Sequence, residues 1–276
     1  LVWTPADRGL TCYFLDVGQG DATVLVTPAG RTVVVDAGGW PGEYETGRGA
    51  GERVVVPFLR HLGVRRVDVL VLTHAHEDHA AGARALVGSF PVGLAVVGPD
   101  RPGAERPPGY TALLGEMAAR GIPVERVAAG SRIEVDREIN LEVLHPPPTV
   151  PRYTRSEENN HSLVLRVSYA GTALLLAADV EAEGQGNLLA AGTELAADIL
   201  KVPHHGSRFF DRGFLGAVHP RLAVISVGAR NTFGLPASEL VMALEELGAR
   251  ICRTDRDGAV VVHVDRRGWW VETGRR

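Results

Sequence analysis

Short apolar runs broken by turn-forming residues dominate the chain, and their lengths suit strands more than long helices. Segments 10–17, 23–27 and 32–36 read as three opening strands, the last two parted by Pro28-Ala29-Gly30. The Gly-rich stretch 41–51 reads as a loop, and 52–62 as a helix closed by Gly63. The β-branched run 67–72 predicts a buried strand that delivers the chain into a polar cluster, with a helix over 80–86 just after it. A looser version follows: a strand at 94–97, a Pro-rich loop at 99–108, and a helix over 110–120 stopped by Gly121. Short strands are predicted near Val124, near Ile133 and over 139–144, then a polar, Pro-rich loop at 146–160. Segments 162–168 and 172–177 predict a hairpin across Tyr169-Ala170-Gly171. Beyond it lie a helix at 183–191, a strand at 198–202 and a loop at 204–211. A strand at 222–227, a helix at 238–247, a strand at 251–253 and a final hairpin of 260–264 with 269–272 complete the chain.

Each half thus has several strands and then strand–helix alternation, with no solenoid-length repeat and no low-complexity tract. That pattern suits an α/β (α+β) architecture: two mixed sheets packed face to face with helices outside, a four-layer αββα sandwich. We read residues 1–276 as a single domain of this kind.

Composition narrows the picture only a little. The chain has 276 residues, 45% hydrophobic and 22% charged, enough for a sizeable core. Its apolar runs are strand-length and too short to span a bilayer, and Leu1-Val2-Trp3-Thr4-Pro5 has neither the basic start nor the apolar stretch of a signal peptide. The first residue is Leu rather than Met, which is read as an excised or processed piece of a longer chain. Cys12 and Cys252 sit in strand-like contexts and read as small buried residues, neither disulfide nor metal ligands. A net charge of −4 excludes a globally basic nucleic-acid binder. Lys occurs once, at Lys201, whereas Arg is abundant, with Arg208, Arg212, Arg221 and Arg230 in one group and Arg250, Arg253, Arg256, Arg266, Arg267, Arg275 and Arg276 in another. Arg forks suit phosphate, although most such runs are simply solvated faces.

The strongest chemical signal is Thr73-His74-Ala75-His76-Glu77-Asp78-His79. Side chains two apart on an extended segment point the same way, so His74 and His76 can grip one ion together. The chain then turns, and Asp78 and His79 at a helix start swing toward a second position. Three His and an Asp within six residues are costly to bury unpaired, and their nitrogen and oxygen donors suit zinc, manganese or iron. Further donors follow strand-like segments. Asp179 comes after Leu174-Leu175-Leu176-Ala177-Ala178, where it can bridge two cations or cap a helix. His204 and His205 follow Ile199-Leu200-Lys201-Val202-Pro203; adjacent side chains diverge, so one is expected on metal and the other on substrate. His161 is a further candidate ligand of the first ion, or an ordinary hairpin-edge His. His61, His145, His219 and His263 lack such context and are read as non-ligands.

These residues resemble the metallo-β-lactamase superfamily, and more closely the C-terminal hydrolase domain of ComEC-type DNA-uptake (competence) proteins. Besides the His cluster, the match rests on Phe14-Leu15-Asp16-Val17-Gly18-Gln19-Gly20-Asp21-Ala22 and Val35-Asp36-Ala37-Gly38. It continues in Asn159-Asn160-His161-Ser162-Leu163-Val164-Leu165, Ala177-Ala178-Asp179 and Leu200-Lys201-Val202-Pro203-His204-His205-Gly206-Ser207, and ends in Ile225-Ser226-Val227-Gly228, Asn231 and Asp257-Gly258. The resemblance implies the metallo-β-lactamase fold, two divalent metal ions (zinc or manganese), and a turn of Asp16, Gly18, Gln19, Gly20 and Asp21 beside them. It implies metal ligation by His74, His76, Asp78, His79, His161, Asp179, His204 and His205. Asp78, Asp179 and His205 are the expected catalytic groups, and Asn160, His205, Ser207 and Asn231 the substrate-binding ones.

In the family an aromatic-Gly-His-Pro run follows Asn231; here it is Phe233-Gly234-Leu235-Pro236, with Leu235 at the His position. One substrate-contacting or proton-donating group is therefore missing, and His205 is the candidate to replace it. The expected activity is metal-assisted phosphodiester hydrolysis with Asp179 bridging the ions. The implied partners are DNA and a membrane channel domain of the same parent chain, with no nucleotide cofactor, at the extracytoplasmic face of a bacterial cell membrane. A free-standing cytoplasmic or secreted hydrolase of a small phosphodiester or lactone, and a DNA-guiding module with a decayed site, are the alternatives; an open Arg-lined groove favours DNA and a closed pocket a small substrate.

Overall fold

A computed structural model describes residues 9–101, 105–149, 151–153 and 155–275. The N-terminal pentapeptide, Arg276 and parts of the 99–108 and 146–160 loops lie outside the described residues. The first sheet has eight strands in the order β15-β14-β1-β2-β3-β4-β5-β6, and the second has seven in the order β13-β12-β11-β10-β9-β8-β7. The strands are β1 (Leu10–Phe14), β2 (Thr23–Val26), β3 (Thr32–Val35), β4 (Val67–Leu72), β5 (Val92–Val97), β6 (Val124–Arg126), β7 (Arg132–Glu134) and β8 (Asn140–His145). The rest are β9 (Val164–Tyr169), β10 (Thr172–Leu176), β11 (Ile199–Lys201), β12 (Leu222–Ile225), β13 (Arg250–Arg253), β14 (Val260–Asp265) and β15 (Gly268–Thr273).

Both sheets are mixed in the same way. In the first, β15 through β3 pair antiparallel and β3 through β6 pair parallel. In the second, β7 through β10 pair antiparallel and β10 through β13 parallel. The C-terminal hairpin β14–β15 belongs to the first sheet, beside β1, a return that local pattern does not reveal.

Alternation along the strands sorts side chains into three apolar layers. Val33, Val35, Val69 and Val71 of the first sheet meet Leu165, Val167, Leu174 and Leu176 of the second, forming the inner core with buried Cys12 and Cys252. Both thiols are free, as expected. On the other face of the first sheet, Val34, Leu70 and Leu72 pack against helical Leu59, Leu86 and Met117. On the outer face of the second, Leu175, Leu200 and Ile225 pack against Leu188, Phe214, Leu240 and Leu244. The order is helix, sheet, sheet, helix, the αββα sandwich read from the sequence. The helix over Arg212–Val218, N-capped by Asp211, lies outside the predicted elements; its seven residues Arg-Gly-Phe-Leu-Gly-Ala-Val include two glycines, which weaken the helical signal. Among the described residues no helix is long and apolar enough to cross a membrane.

Candidate metal centre

Parallel strands from both sheets end on the same edge, and the polar residues that follow them converge there, as ligand sites do at the carboxyl ends of α/β strands. His74, His76 and His79 follow β4, Asp179 follows β10, and His204 and His205 follow β11. Asp21 enters from the turn between β1 and β2. Gly20 makes that turn fit: its φ is +131°, and a Cβ there would lie 2.2 Å from the Asp78 carbonyl oxygen. The close approach lets the Asp21 N–H donate to the same oxygen at 3.1 Å.

Two donor groups result. Ligand atoms of Asp21, His79, Asp179 and His205 lie within 4.8 Å of one another, as do those of His74, His76 and Asp179. Asp179 belongs to both. His79 Nε2 is 3.2 Å from Asp179 Oδ1 and 3.4 Å from His205 Nε2, and His205 Nε2 is 3.3 Å from Asp78 Oδ2. His74 Nε2 stands 3.1 Å from His76 Nδ1. Nitrogen and oxygen ligands about 2.0–2.1 Å from one tetrahedral ion stand about 3.3 Å apart, so these spacings fit a shared cation.

Protonation points the same way. Asp36 accepts from His79 Nδ1 at 2.8 Å and from the Thr73 hydroxyl at 2.7 Å. With its proton committed, the Thr73 hydroxyl accepts from His74 Nδ1 at 3.0 Å. His205 Nδ1 donates to the Ser226 carbonyl at 3.0 Å. His74, His79 and His205 thus each have Nδ1 on an oxygen and Nε2 turned into the cluster, the arrangement that orients metal-ligating imidazoles, whereas His76 turns Nδ1 toward His74. The buried Oδ1 atoms of Asp21 and Asp179 have no hydrogen-bond donor, a costly state unless a cation takes the lone pairs.

The electrostatics favour ionised carboxylates. Burial pushes the Asp179 carboxyl up, but His79, His205 and His204 outweigh it and hold the group well below the usual range. Burial likewise opposes ionisation of Asp21, which Lys201 and His205 nevertheless bring down to about 2. Lys201, the only lysine, is buried with its ammonium ion-paired to Asp21. His205 is pushed down by burial and, more strongly, up by Asp179 and Asp21, to about 10; a cation in the cluster would displace that proton.

The backbone is strained here. Among the described residues, six non-glycines have positive φ, and Asp36, Ala178, His204 and His205 of these lie at the cluster. His204 (φ 49°) and His205 (φ 52°) are consecutive, followed by Gly206. They are held by His204 N–H to the Ala178 carbonyl at 2.9 Å and Ala237 N–H to the Gly206 carbonyl at 2.8 Å. Such clustering of left-handed residues marks sites where surrounding structure imposes a functional geometry.

Several expected roles change. His161 stands apart from both donor groups: its ring nitrogens face the backbone carbonyls of Glu157 and Pro151, and its ring packs on Tyr153, so the ligand expectation is corrected to a structural histidine. Asn160, expected on substrate, is fully buried; its Oδ1 accepts from Glu181 N–H at 3.1 Å and Gly184 N–H at 2.9 Å, capping the helix Ala182–Ala190. Its neighbour Asn159 is the one at the site, lining the cavity with Nδ2 3.4 Å from His204 Nε2. Asn231 is also corrected: Oδ1 accepts from Phe233 and Leu235 N–H, and Nδ2 donates to the Gly228 and Leu235 carbonyls, so its polar atoms brace its own loop. His205 lines the cavity with Nδ1 on the Ser226 carbonyl and Nε2 3.6 Å from Asp179 Oδ2, which sets it in the cluster more than against a substrate.

His204 is the more open of the pair, its side chain 24% exposed, with Nδ1 3.1 Å from Glu181 Oε1 and Nε2 3.8 Å from Asp179 Oδ2. Ser207 lines the cavity, and Asp78 reaches it from the side. Asp36, Thr73, Glu181 and Lys201 are not singled out by the sequence; a carboxylate or hydroxyl just past a strand end is the signal for the first three, and a lone lysine closing an apolar strand for the fourth.

The cavity beside the cluster measures about 370 Å³ and is walled by Gln19, His76, Asp78, Asn159, Asp179, His204 and His205 on one side. Ser207, Arg208, Phe209, Phe233 and Leu235 close the rest. Of the basic residues grouped in the sequence, only Arg208 lines it among the described residues. Arg212, Arg221, Arg253 and Arg275 are spent on Glu246, Asp198, Asp255 and Asp16.

Known proteins resemble this chain in sequence and fold. ComE operon protein 3 of Bacillus subtilis is 30% identical over 256 residues, 89% of this chain and 32% of that protein. Competence protein ComA of Neisseria gonorrhoeae is 32% identical over 255 residues, 92% of this chain and 32% of that protein. The chain thus spans about a third of the length of these ComEC-type relatives. Among solved structures, CmlA, a diiron beta-hydroxylase from Streptomyces venezuelae, superposes with a TM-score of 0.57 at 15% identity over 89% of this chain and 53% of that one, a likeness of fold alone. The metallo-beta-lactamase superfamily model matches residues 15–212, and with the two-sheet sandwich and the His/Asp cluster in place the chain belongs to that superfamily.

Proposed function

We propose that this chain is a two-metal phosphodiesterase domain, a deoxyribonuclease that degrades one DNA strand during DNA uptake. In this reading it is one domain of a larger membrane protein, carried at the extracytoplasmic face beside a channel domain. The competence-protein relatives support the setting. The observation that carries the chemistry is Asp179, common to a four-residue and a three-residue donor group.

His74, His76 and Asp179 would hold one cation, and Asp21, His79, Asp179 and His205 the other, with Asp78 against His205. Bound zinc or manganese would supply a water-derived nucleophile at neutral pH and neutralise charge on phosphoryl oxygens. The protein's own groups do the rest. His204, 3.1 Å from Glu181 and open to the cavity, would hand a proton to the leaving oxygen, the role the sequence suggests for His205. Arg208 and Ser207 line the same wall and would orient a phosphate. Leu235 packs on the apolar cluster at the position of the missing histidine, and His204 shares its cavity.

The test is cleavage of single- and double-stranded DNA by the metal-replete chain. Cleavage should vanish on chelation, return with Mn²⁺ or Zn²⁺, and drop by about a hundredfold or more in His76→Ala and in Asp78→Ala. Unchanged rates in both variants would overturn the mechanism.

A further inference from the structure

Phe233 is the most exposed large hydrophobic side chain among the described residues, at 68%. A single exposed Phe is ordinary in itself; its position and its support are not. It lies in the wall of the same cavity as His204, Asp78 and Asp179, next to Leu235. Its loop is braced, because Asn231 Oδ1 accepts from Phe233 N–H at 3.2 Å and Leu235 N–H at 3.0 Å. Asn231 Nδ2 ties the Gly228 and Leu235 carbonyls at 2.9 Å, and Gly228 N–H donates to Gln19 Oε1 at 3.2 Å. The loop that carries the exposed ring is therefore braced by four hydrogen bonds of one side chain.

A second aromatic shares the cavity. Phe209 lines it, and the Arg155 guanidinium stacks on that ring 3.3 Å from its centroid. Arg155 is exposed, and its Nε also lies 3.6 Å from Glu181 Oε2. Arg208 adds a positive charge to the wall. Two flat hydrophobic rings, one of them backed by the Arg155 guanidinium, and Leu235 thus rim a cleft whose floor is acidic and imidazole-rich. The rim suits an aromatic, uncharged moiety attached to an anion that reaches the floor.

We propose that this rim is a nucleobase-stacking subsite, in which Phe233 and the Arg155–Phe209 stack hold unpaired bases flanking the phosphodiester to be cut. The inference rests on the phosphodiesterase reading and sharpens it: a stacked base must leave a duplex, so the substrate in the cleft is single-stranded. Stacking on aromatic side chains is sequence-tolerant, since every base offers a π face. Leu235 fits the same picture, as it makes apolar a wall position where the family pattern has a histidine.

The test compares fluorescently labelled dT12 with an abasic 12-mer of the same backbone, by anisotropy at fixed salt on the full 276-residue chain with Ca²⁺ as the added ion. Wild type should bind dT12 about tenfold tighter than the abasic strand. Phe233→Ala should bring that ratio close to one, and Phe233→Trp should keep it. Equal binding of both strands by wild type, or a ratio untouched by Phe233→Ala, overturns the proposal and excludes Phe233 as a base platform. Hydrolysis of bis(p-nitrophenyl) phosphate with Mn²⁺, measured in parallel, reads the phosphodiesterase chemistry without a base. A chain that hydrolyses it but ignores the bases keeps the function and loses the subsite; one that discriminates the strands without hydrolysis keeps the subsite and loses the function.

Discussion

Asp36 lines no part of the cavity, yet it sets the tautomers of two histidines. One oxygen takes the His79 Nδ1 proton directly and the Thr73 hydroxyl proton, which in turn fixes His74. The other accepts from the Thr73 N–H at 2.8 Å. An amide in its place offers a donor where an acceptor is needed. Asp36→Asn is expected to weaken metal binding by about 10–100-fold with the fold intact, measured by competition with a chromophoric chelator and checked by circular dichroism. Unaltered affinity would show that the imidazoles orient without it. Lys201 plays a related part for Asp21, as a buried ammonium whose loss would leave an uncompensated carboxylate. Glu77, inside the His cluster, serves the frame instead: its Oε1 accepts from Tyr44 N–H at 3.1 Å.

At the scale of elements, the site depends on how strand ends turn. The helix Ala182–Ala190 starts beside Asp179 and Glu181, and Asn160 caps it from another segment. Removing that cap leaves two buried N–H groups without acceptors, a cost of about 2 kcal/mol. Asn160→Ala should accordingly unfold at lower urea with an unchanged slope, while its oligonucleotide affinity stays at the wild-type level. Weakened binding at full stability would return Asn160 to the substrate-contacting role that its place in the motif suggested. The adjacent residues 159 and 160 part ways because a 3₁₀ turn over Asn159–His161 sends them in different directions, and no local pattern states that turn in advance.

For the molecule as a whole, the donor set draws on four distant segments, around residues 21, 74–79, 179 and 204–205, split between the two sheets. A cation bound there stabilises the folded state alone, because the unfolded chain has no such cluster. Metal at a hundredfold excess over its Kd contributes about 2.7 kcal/mol per ion. For a chain of this size, stripping the metal is expected to lower Tm by about 5 °C or more, read by scanning calorimetry. The gap between replete and stripped protein should shrink in His76→Ala. An equal Tm with and without chelator in the wild type would argue that no ion is tightly held.

The periodicity and turn residues were enough for the layered αββα class, the boundaries of β4 and the identity of the His74–His79 cluster, because burial and ligand spacing there are local properties of consecutive residues. Asp179 and the His204–His205 pair were also legible, since a polar residue at the end of an apolar strand has few cheap explanations. Tertiary structure alone decided which of the two adjacent histidines joins the cluster, through the left-handed backbone at both and the Ser226 carbonyl that takes one ring proton. It set His161 apart from the donor groups, turned Asn160 and Asn231 into braces, and brought Asp36 and Lys201 to the site beside the Asp21 turn that the sequence had placed there. These are contacts across the sandwich, between residues as far apart as 21 and 201, and no spacing along one chain encodes the edge on which two sheets meet.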